Sequence, residues 1–260
     1  MGSEGGRLVT LVTFDVDGTL IRSCGADANK LHKEAFVAGF RKVFNVDTNI
    51  DVIAHHGGTD PLIALKCLEH SGVPKEESMP KLKEFEAAMV EHFEAHRARA
   101  GLGLQLLPGV ARLLSTLKAR PDVETCLVTG NLEPIGWGKM AALGIDGLFS
   151  SPRFGGFGSD YCSGSTEEMW RDRAEFINIA ARRAREALGG DIAIGRRWHV
   201  GDTPADVRAA VEAGAAALGV ATGTCSAEQL EAARRGPDDE IRVLASLEDT
   251  EAVLAALGLE

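Results

Sequence analysis

The chain predicts an α/β fold, a doubly wound parallel sheet carrying an inserted helical cap. Three observations point to it. Short β-branched and apolar runs recur along the chain, stretches with one-face helical spacing separate them, and one long early segment carries helical spacing alone.

The first run, "LVTLVTF" at 8–14, lacks strict polar alternation, as expected of a strand covered on both faces in a parallel sheet. Beyond it the alternation of strand and helix stops. From about Cys24 to Gln105 the spacing is helical, with Phe36, Phe40, Val43 and Phe44 on one stripe and Leu82, Phe85, Met89 and Phe93 on another. "GLGLQLLPGV" (101–110), rich in Gly and closed by Pro, suits a return hinge. These features divide the chain into a core of residues 1–22 and 106–260 and a cap of residues 23–105.

Within the core, Val110, Leu113, Leu114 and Leu117 predict a helix, and "VETCLVTGN" (123–131) a strand ending in a turn. "FGGFGSDYCSGSTEEMW" (154–170) reads as a loop, and Trp170, Ala174, Ile177, Ala181, Ala184 and Leu188 share one helical face. "RWHVGDT" (197–203) and "AAALGVATG" (215–223) predict further strands, with a weaker one from Ile241. The whole is a Rossmann-like core, whose ligand site lies beyond the carboxyl ends of its strands.

Composition narrows the function. Lys and Arg total 28 against 38 Asp and Glu, a formal net charge of -10 with no basic block, which argues against nucleic acid or an acidic membrane surface as partner. No apolar run reaches membrane-spanning length. Five scattered cysteines without a C-x-x-C pair argue against a disulfide framework and a zinc site, and a reducing, cytoplasmic setting is the simplest expectation. "MGSEGGRLVT" lacks the layout of a signal peptide.

The chemistry concentrates at three strand ends. In "VTFDVDGTLI", Asp15 and Asp17 follow an apolar run at once. A carboxylate can attack phosphorus, but both partners are anionic, and Mg²⁺ held by carboxylates relieves the repulsion. Asp15 and Asp202 form such a pair if their strands are neighbours, which leaves Asp17 free to move a proton. An EF-hand loop is excluded, because Thr19, Leu20 and Ala26 stand where it needs an acid or Asn, a Gly and a Glu. In "LVTGN", the Thr129 hydroxyl, the Gly130 amide and Asn131 form a turn suited to phosphate oxygens. In "GDTPAD", Thr203, Pro204 and Asp206 have the spacing of a capped helix start, which accounts for Asp206 structurally. Arg171 and Arg173 alone read as a solvated face, and His55 with His56 lacks a third metal ligand.

Taken in order, "DVDGTL", "VTGN", a downstream cation and "GDTPAD" resemble the four motifs of the haloacid dehalogenase superfamily, most closely its phosphoglycolate-phosphatase-type branch. The resemblance implies Asp15 as nucleophile, Asp17 as general acid/base and, through its carbonyl, a Mg²⁺ ligand. It implies Asp202 as the other metal carboxylate, Thr129 as phosphoryl-binding, and Asp206 as support for the metal shell or the cation. That cation is usually a Lys ahead of a Pro; here Arg173 is the best match, with Arg171 and Lys139 as rivals.

The expected activity is therefore Mg²⁺-dependent hydrolysis of a small phosphorylated metabolite through an aspartyl-phosphate, by a monomer or homodimer. Phosphomutase, phosphonatase or dehalogenase chemistry is the alternative, the second requiring a cap lysine such as Lys30, Lys33 or Lys66. A non-catalytic binding module on the same scaffold is the third reading.

Overall fold

The computed structural model describes residues 7–189 and 192–260. Its main sheet is parallel throughout. The first strand, β1 (Arg7–Phe14), is central and ends one residue before Asp15. A short β2 (Ile21–Ser23) then leads into the helical insertion, built from α1 (Lys30–Gly39), α2 (Asp60–His70), α3 (Lys75–Ser78) and α4 (Leu82–Ala95). The chain returns through β3 (Leu104–Leu106), which pairs antiparallel with β2. The return hinge read from the Gly-rich stretch is thus one strand of a two-stranded ribbon.

The core continues with α5 (Val110–Lys118), β4 (Val123–Thr129), α6 (Glu133–Ala142) and β5 (Gly155–Phe157). β5 lies inside the segment read as a loop. Its two glycines are poor strand formers, and it forms because β4 offers an edge where Gly155 and Gly156 pack against backbone too closely for any Cβ. Next come α7 (Trp170–Leu188), β6 (Ile192–Gly201), α8 (Pro204–Glu212), β7 (Ala216–Val220), α9 (Ala227–Glu231), β8 (Ile241–Leu244) and α10 (Thr250–Leu257).

The strand order β5-β4-β1-β6-β7-β8 reverses direction between β1 and β6. Alternate residues of β1 feed opposite faces. Val12 and Phe14 pack with Leu113 and Leu117 of α5, Met140 of α6 and Val253 of α10. Leu11 packs with Ala174 and Ile177 of α7, Val207 of α8 and Leu230 of α9. Both faces are therefore dry, which is why β1 reads as a continuous apolar run.

The insertion has its own apolar core of Phe36, Phe40, Leu62, Phe85, Met89 and Phe93, and Leu132 and Ile135 at the start of α6 belong to it. The helical spacing read from Phe36 to Phe93 is thus a real packing face. At Gly138 a Cβ would meet the Phe93 ring at 2.5 Å, so α4 rests directly on α6.

Candidate functional site

The reversal between β1 and β6 brings the two carboxylate loops together. Asp15 leaves β1 with its amide bonded to the Val200 carbonyl of β6 at 2.9 Å, and Asp202 follows the end of β6. The two strands are neighbours, as the metal pair requires. Thr129 closes β4 on the other side of β1. A cavity of about 570 Å³ opens over these ends, lined among others by Asp15, Asp17, Thr129, Arg173 and Asp202 from the core and by His32 from the cap.

Arg173, one turn into α7, reaches this centre buried to all but 3%. One of its nitrogens lies 2.7 Å from Asp15 Oδ1 and 3.1 Å from Asp206 Oδ1, and its second nitrogen lies 3.5 Å from the Gly58 carbonyl of the cap. Arg171, by contrast, is exposed, pairs with Glu168 and lies over the Trp170 ring. Lys139 of α6 is buried to all but 1% and donates to both oxygens of Asp17, at 2.6 and 2.9 Å. Two cations thus serve three carboxylates.

Asn131 joins the second pair, its amide donating to Asp17 Oδ2 at 3.0 Å and to Thr129 Oγ1 at 3.1 Å. Asp206 completes a capping box with Thr203, accepting from its amide at 3.0 Å and its hydroxyl at 2.6 Å. Its other oxygen faces Arg173 and, at 3.4 Å, the buried His199. The structural reading of Asp206 as a cap is correct, and it shares Arg173 with Asp15 as well.

Asp202 sits in a glycine cradle. A Cβ on Gly223 would fall 1.7 Å from its Oδ2, and one on Gly18, whose φ is 95°, would fall 2.3 Å away. Among the described residues its side-chain hydrogen-bond partner is the Thr19 hydroxyl at 3.2 Å. Carboxylate oxygens of Asp15, Asp202 and Asp206 all lie within 4.8 Å of one another.

The protonation equilibria follow from this crowding. Burial, reinforced by Asp206 and Asp15, pushes the Asp202 carboxyl up to about 8. Burial also raises Asp15, although Arg173 works against it. Asp206 shows the reverse balance, since burial raises it but Arg173, His199 and Thr203 hold it well below the usual carboxylate range. At Asp17 burial is likewise overcome, chiefly by Lys139, and the group is lowered. Among the described residues the Asp15 and Asp202 pair is short of positive charge, and its hard oxygen donors fit Mg²⁺.

The remaining sequence candidates divide. His55 and His56 stack on each other with ring centroids 5.1 Å apart and line the cavity, outside the carboxylate cluster. Lys33 lines the cavity with its amine held by Asp51 at 2.8 and 3.1 Å, while Lys30 pairs with Asp27. Sequence reasoning missed Thr19, His32 and Asp60. In "TDP" the acid looks like ordinary helix-start chemistry, and only the tertiary contacts of Asp60 set it apart.

Residues 9–214 match the family model described as haloacid dehalogenase-like hydrolase. Among solved structures, the chain is similar to a hydrolase from Pseudomonas syringae, at 18% identity over 95% of this chain and 98% of that one, with a TM-score of 0.57. It is similar also to a predicted phosphoglycolate phosphatase from Haemophilus somnus, at 20% identity over 94% and 97% of the two chains and a TM-score of 0.57. A third likeness is to a β-phosphoglucomutase from Clostridium difficile, at 16% identity over 96% and 97%, with a TM-score of 0.54. No curated protein matches the chain. Among the described residues no helix is long and apolar enough to cross a membrane.

Proposed function

The chain belongs to the haloacid dehalogenase-like hydrolases, and on that premise we propose that it is a Mg²⁺-dependent phosphatase of a small phosphorylated metabolite. The observation that carries this reading is the split between two carboxylates. Asp15 lies against Arg173 in the acidic cluster, whereas Asp17 faces Lys139 and Asn131.

In the proposed reaction Asp15 attacks phosphorus with Oδ2, because Oδ1 is occupied by Arg173. The new P–O bond forms as the ester P–O bond breaks, and the departing oxygen takes a proton from Asp17. Water then attacks the phosphorus of the aspartyl-phosphate while Asp17 takes its proton, which releases inorganic phosphate and restores Asp15. Thr129 Oγ1 accepts from the Asn131 side chain, so its own proton is free for a phosphoryl oxygen. Arg173 offers the same group a guanidinium fork.

Asp15, Asp202 and the Asp17 carbonyl would hold Mg²⁺, which supplies charge neutralisation for the transferring phosphoryl group. Both oxygens of Asp206 are already engaged by Arg173, His199 and Thr203, which suits a supporting residue better than a direct ligand.

The reading is tested by phosphate release from a panel of sugar phosphates, short phosphorylated acids, nucleotides and p-nitrophenyl phosphate, each with and without Mg²⁺. Release that needs Mg²⁺ and favours one natural ester supports it. No release from any ester by folded, Mg²⁺-supplied protein excludes it.

Two predictions follow from the charge balance. Without metal, Asp202 binds its proton more tightly folded than unfolded, since its carboxyl stands at about 8 against an ordinary 3.8. That contribution to stability is complete below about pH 4 and is lost as pH rises toward 8. Mg²⁺ has to displace the proton, so its apparent affinity weakens as pH falls below about 8, by up to about tenfold per unit. Calorimetric titrations at pH 5, 6.5 and 8 measure this, and a pH-independent affinity would contradict the assignment.

Lys139→Met removes the charge that lowers Asp17. The acid form then persists to higher pH, and the descending limb of the kcat/KM profile moves upward. An unshifted profile would mean that Lys139 does not control Asp17.

A further inference from the structure

The cap is hydrogen-bonded to the phosphoryl-binding turn by Asp60, the first residue of α2. It is 3% exposed. Its amide donates to the Gly130 carbonyl at 2.8 Å, and its Oδ2 accepts from the Leu132 amide at 2.9 Å. The same Oδ2 lies 2.9 Å from His32 Nε2 on α1, a ring packed against Phe36 with centroids 5.3 Å apart.

Two helix starts are joined reciprocally by these contacts. The first amide of α2, an orphan donor by position, is satisfied by the core, and Leu132, the residue preceding α6, has its amide satisfied by the cap. Between the two bonds lies Asn131, preceded by Thr129 and Gly130. The packing leaves little slack, because a Cβ on Gly130 would fall 2.3 Å from the Gly58 carbonyl and 2.9 Å from Thr59 Cα. On the far side the Gly158 amide donates to the Asn131 carbonyl at 2.9 Å. The turn is therefore clamped between the cap and the segment after β5.

We propose that Asp60 is a positioning residue, a cap carboxylate that sets the Thr129–Gly130–Asn131 turn for phosphoryl binding by holding Leu132 and Gly130. The assignment rests on the phosphatase reading for its meaning in turnover but not for its effect on phosphate binding. His32 orients the carboxylate through Nε2. In this arrangement the seat of the cap and the shape of the phosphate site are one structural variable, so displacing the cap loosens the turn that holds Thr129 and Asn131.

The test compares Asp60→Ala and Asp60→Asn with the wild type by thermal melting, by calorimetric binding of inorganic phosphate with Mg²⁺, and by kcat and KM for p-nitrophenyl phosphate. Asp60→Ala is expected to weaken phosphate binding at least about tenfold and to lower kcat by a similar factor or more. Asn keeps an acceptor for the Leu132 amide, so Asp60→Asn is expected to recover both to within about threefold of wild type. A residue that only shapes the leaving-group space would raise KM with kcat unchanged.

Wild-type phosphate affinity in Asp60→Ala, or an Asp60→Asn protein as impaired as Asp60→Ala at equal melting temperature, overturns the proposal. Should Asp60→Ala fail to fold, Asp60→Glu retains the charge and displaces the acceptor, and unchanged phosphate affinity in that variant overturns it equally. Phosphate binding that depends on Asp60 in a protein hydrolysing no ester would sink the phosphatase reading and leave this one standing. Ester hydrolysis indifferent to Asp60 would do the opposite.

Discussion

Replacing Asp15 by Asn is expected to lower kcat for any hydrolysed ester by at least about 10³-fold while the protein stays folded. The amide is nearly isosteric with the carboxylate, so the shape of the site survives, but its oxygen is too weak a nucleophile to open a phosphate ester. Burial raises the Asp15 carboxyl despite its contact with Arg173, so the native charge is held there at a cost, and the neutral amide relieves it. Arg173 keeps Asp206 at 3.1 Å as a partner in the variant. The melting temperature should therefore hold or rise while turnover disappears. Residual kcat above about 1% of wild type, in protein free of deamidation, would exclude Asp15 as the covalent residue.

Arg173→Met should have the largest effect on stability. The guanidinium is 3% exposed and bridges Asp15 and Asp206, each almost wholly buried. Removing one partner of a buried ion pair strands the other charge, at a cost of about 3–5 kcal/mol. In a chain of this size that corresponds to a melting temperature lower by roughly 10 °C.

The sign of the pH dependence is fixed by Asp206. Burial tends to raise its carboxyl, but in the wild type Arg173, His199 and Thr203 hold it well below the ordinary 3.8, so its stabilising contribution is present above about pH 4 and is lost only in strong acid. Without Arg173 that contribution goes, and the gap between wild type and variant should widen as pH rises from 4 to 8. Urea unfolding at pH 5 and pH 8 without Mg²⁺ measures it. Equal stability of the two proteins at pH 8 would refute the account. Arg173→Lys keeps the charge but loses the fork, and should recover part of the stability and little of the turnover.

The strands that position the site were legible because they are dry on both faces. Leu11, Val12 and Phe14 are fully buried, and burial demands the apolar run that marks β1. Asp15 and Asp202 were legible for a related reason, because an acid directly after such a run is out of place unless something at the strand end uses it. β5 was illegible, since "GGF" is held by close backbone packing that leaves no trace in residue type. The choice among Arg171, Arg173 and Lys139 was equally hidden. All three stand on helices with ordinary charge patterns, and only the docking of α6 and α7 sends Lys139 to Asp17 and Arg173 to Asp15 while leaving Arg171 in solvent.

What the sequence determined by itself is the α/β architecture with its helical insertion and the order of the acidic strand-end motifs, because periodicity and abrupt changes of polarity are local properties. Tertiary structure alone decided which cation meets which carboxylate, how burial beside other acids raises Asp202 while Arg173 and His199 lower Asp206, and that Asp60 of the cap ties into the turn after β4. Those outcomes depend on contacts such as Arg173 with Asp15, 158 positions apart in the chain, and Thr19 with Asp202, 183 positions apart. Such distances are set by packing, and no local pattern encodes them.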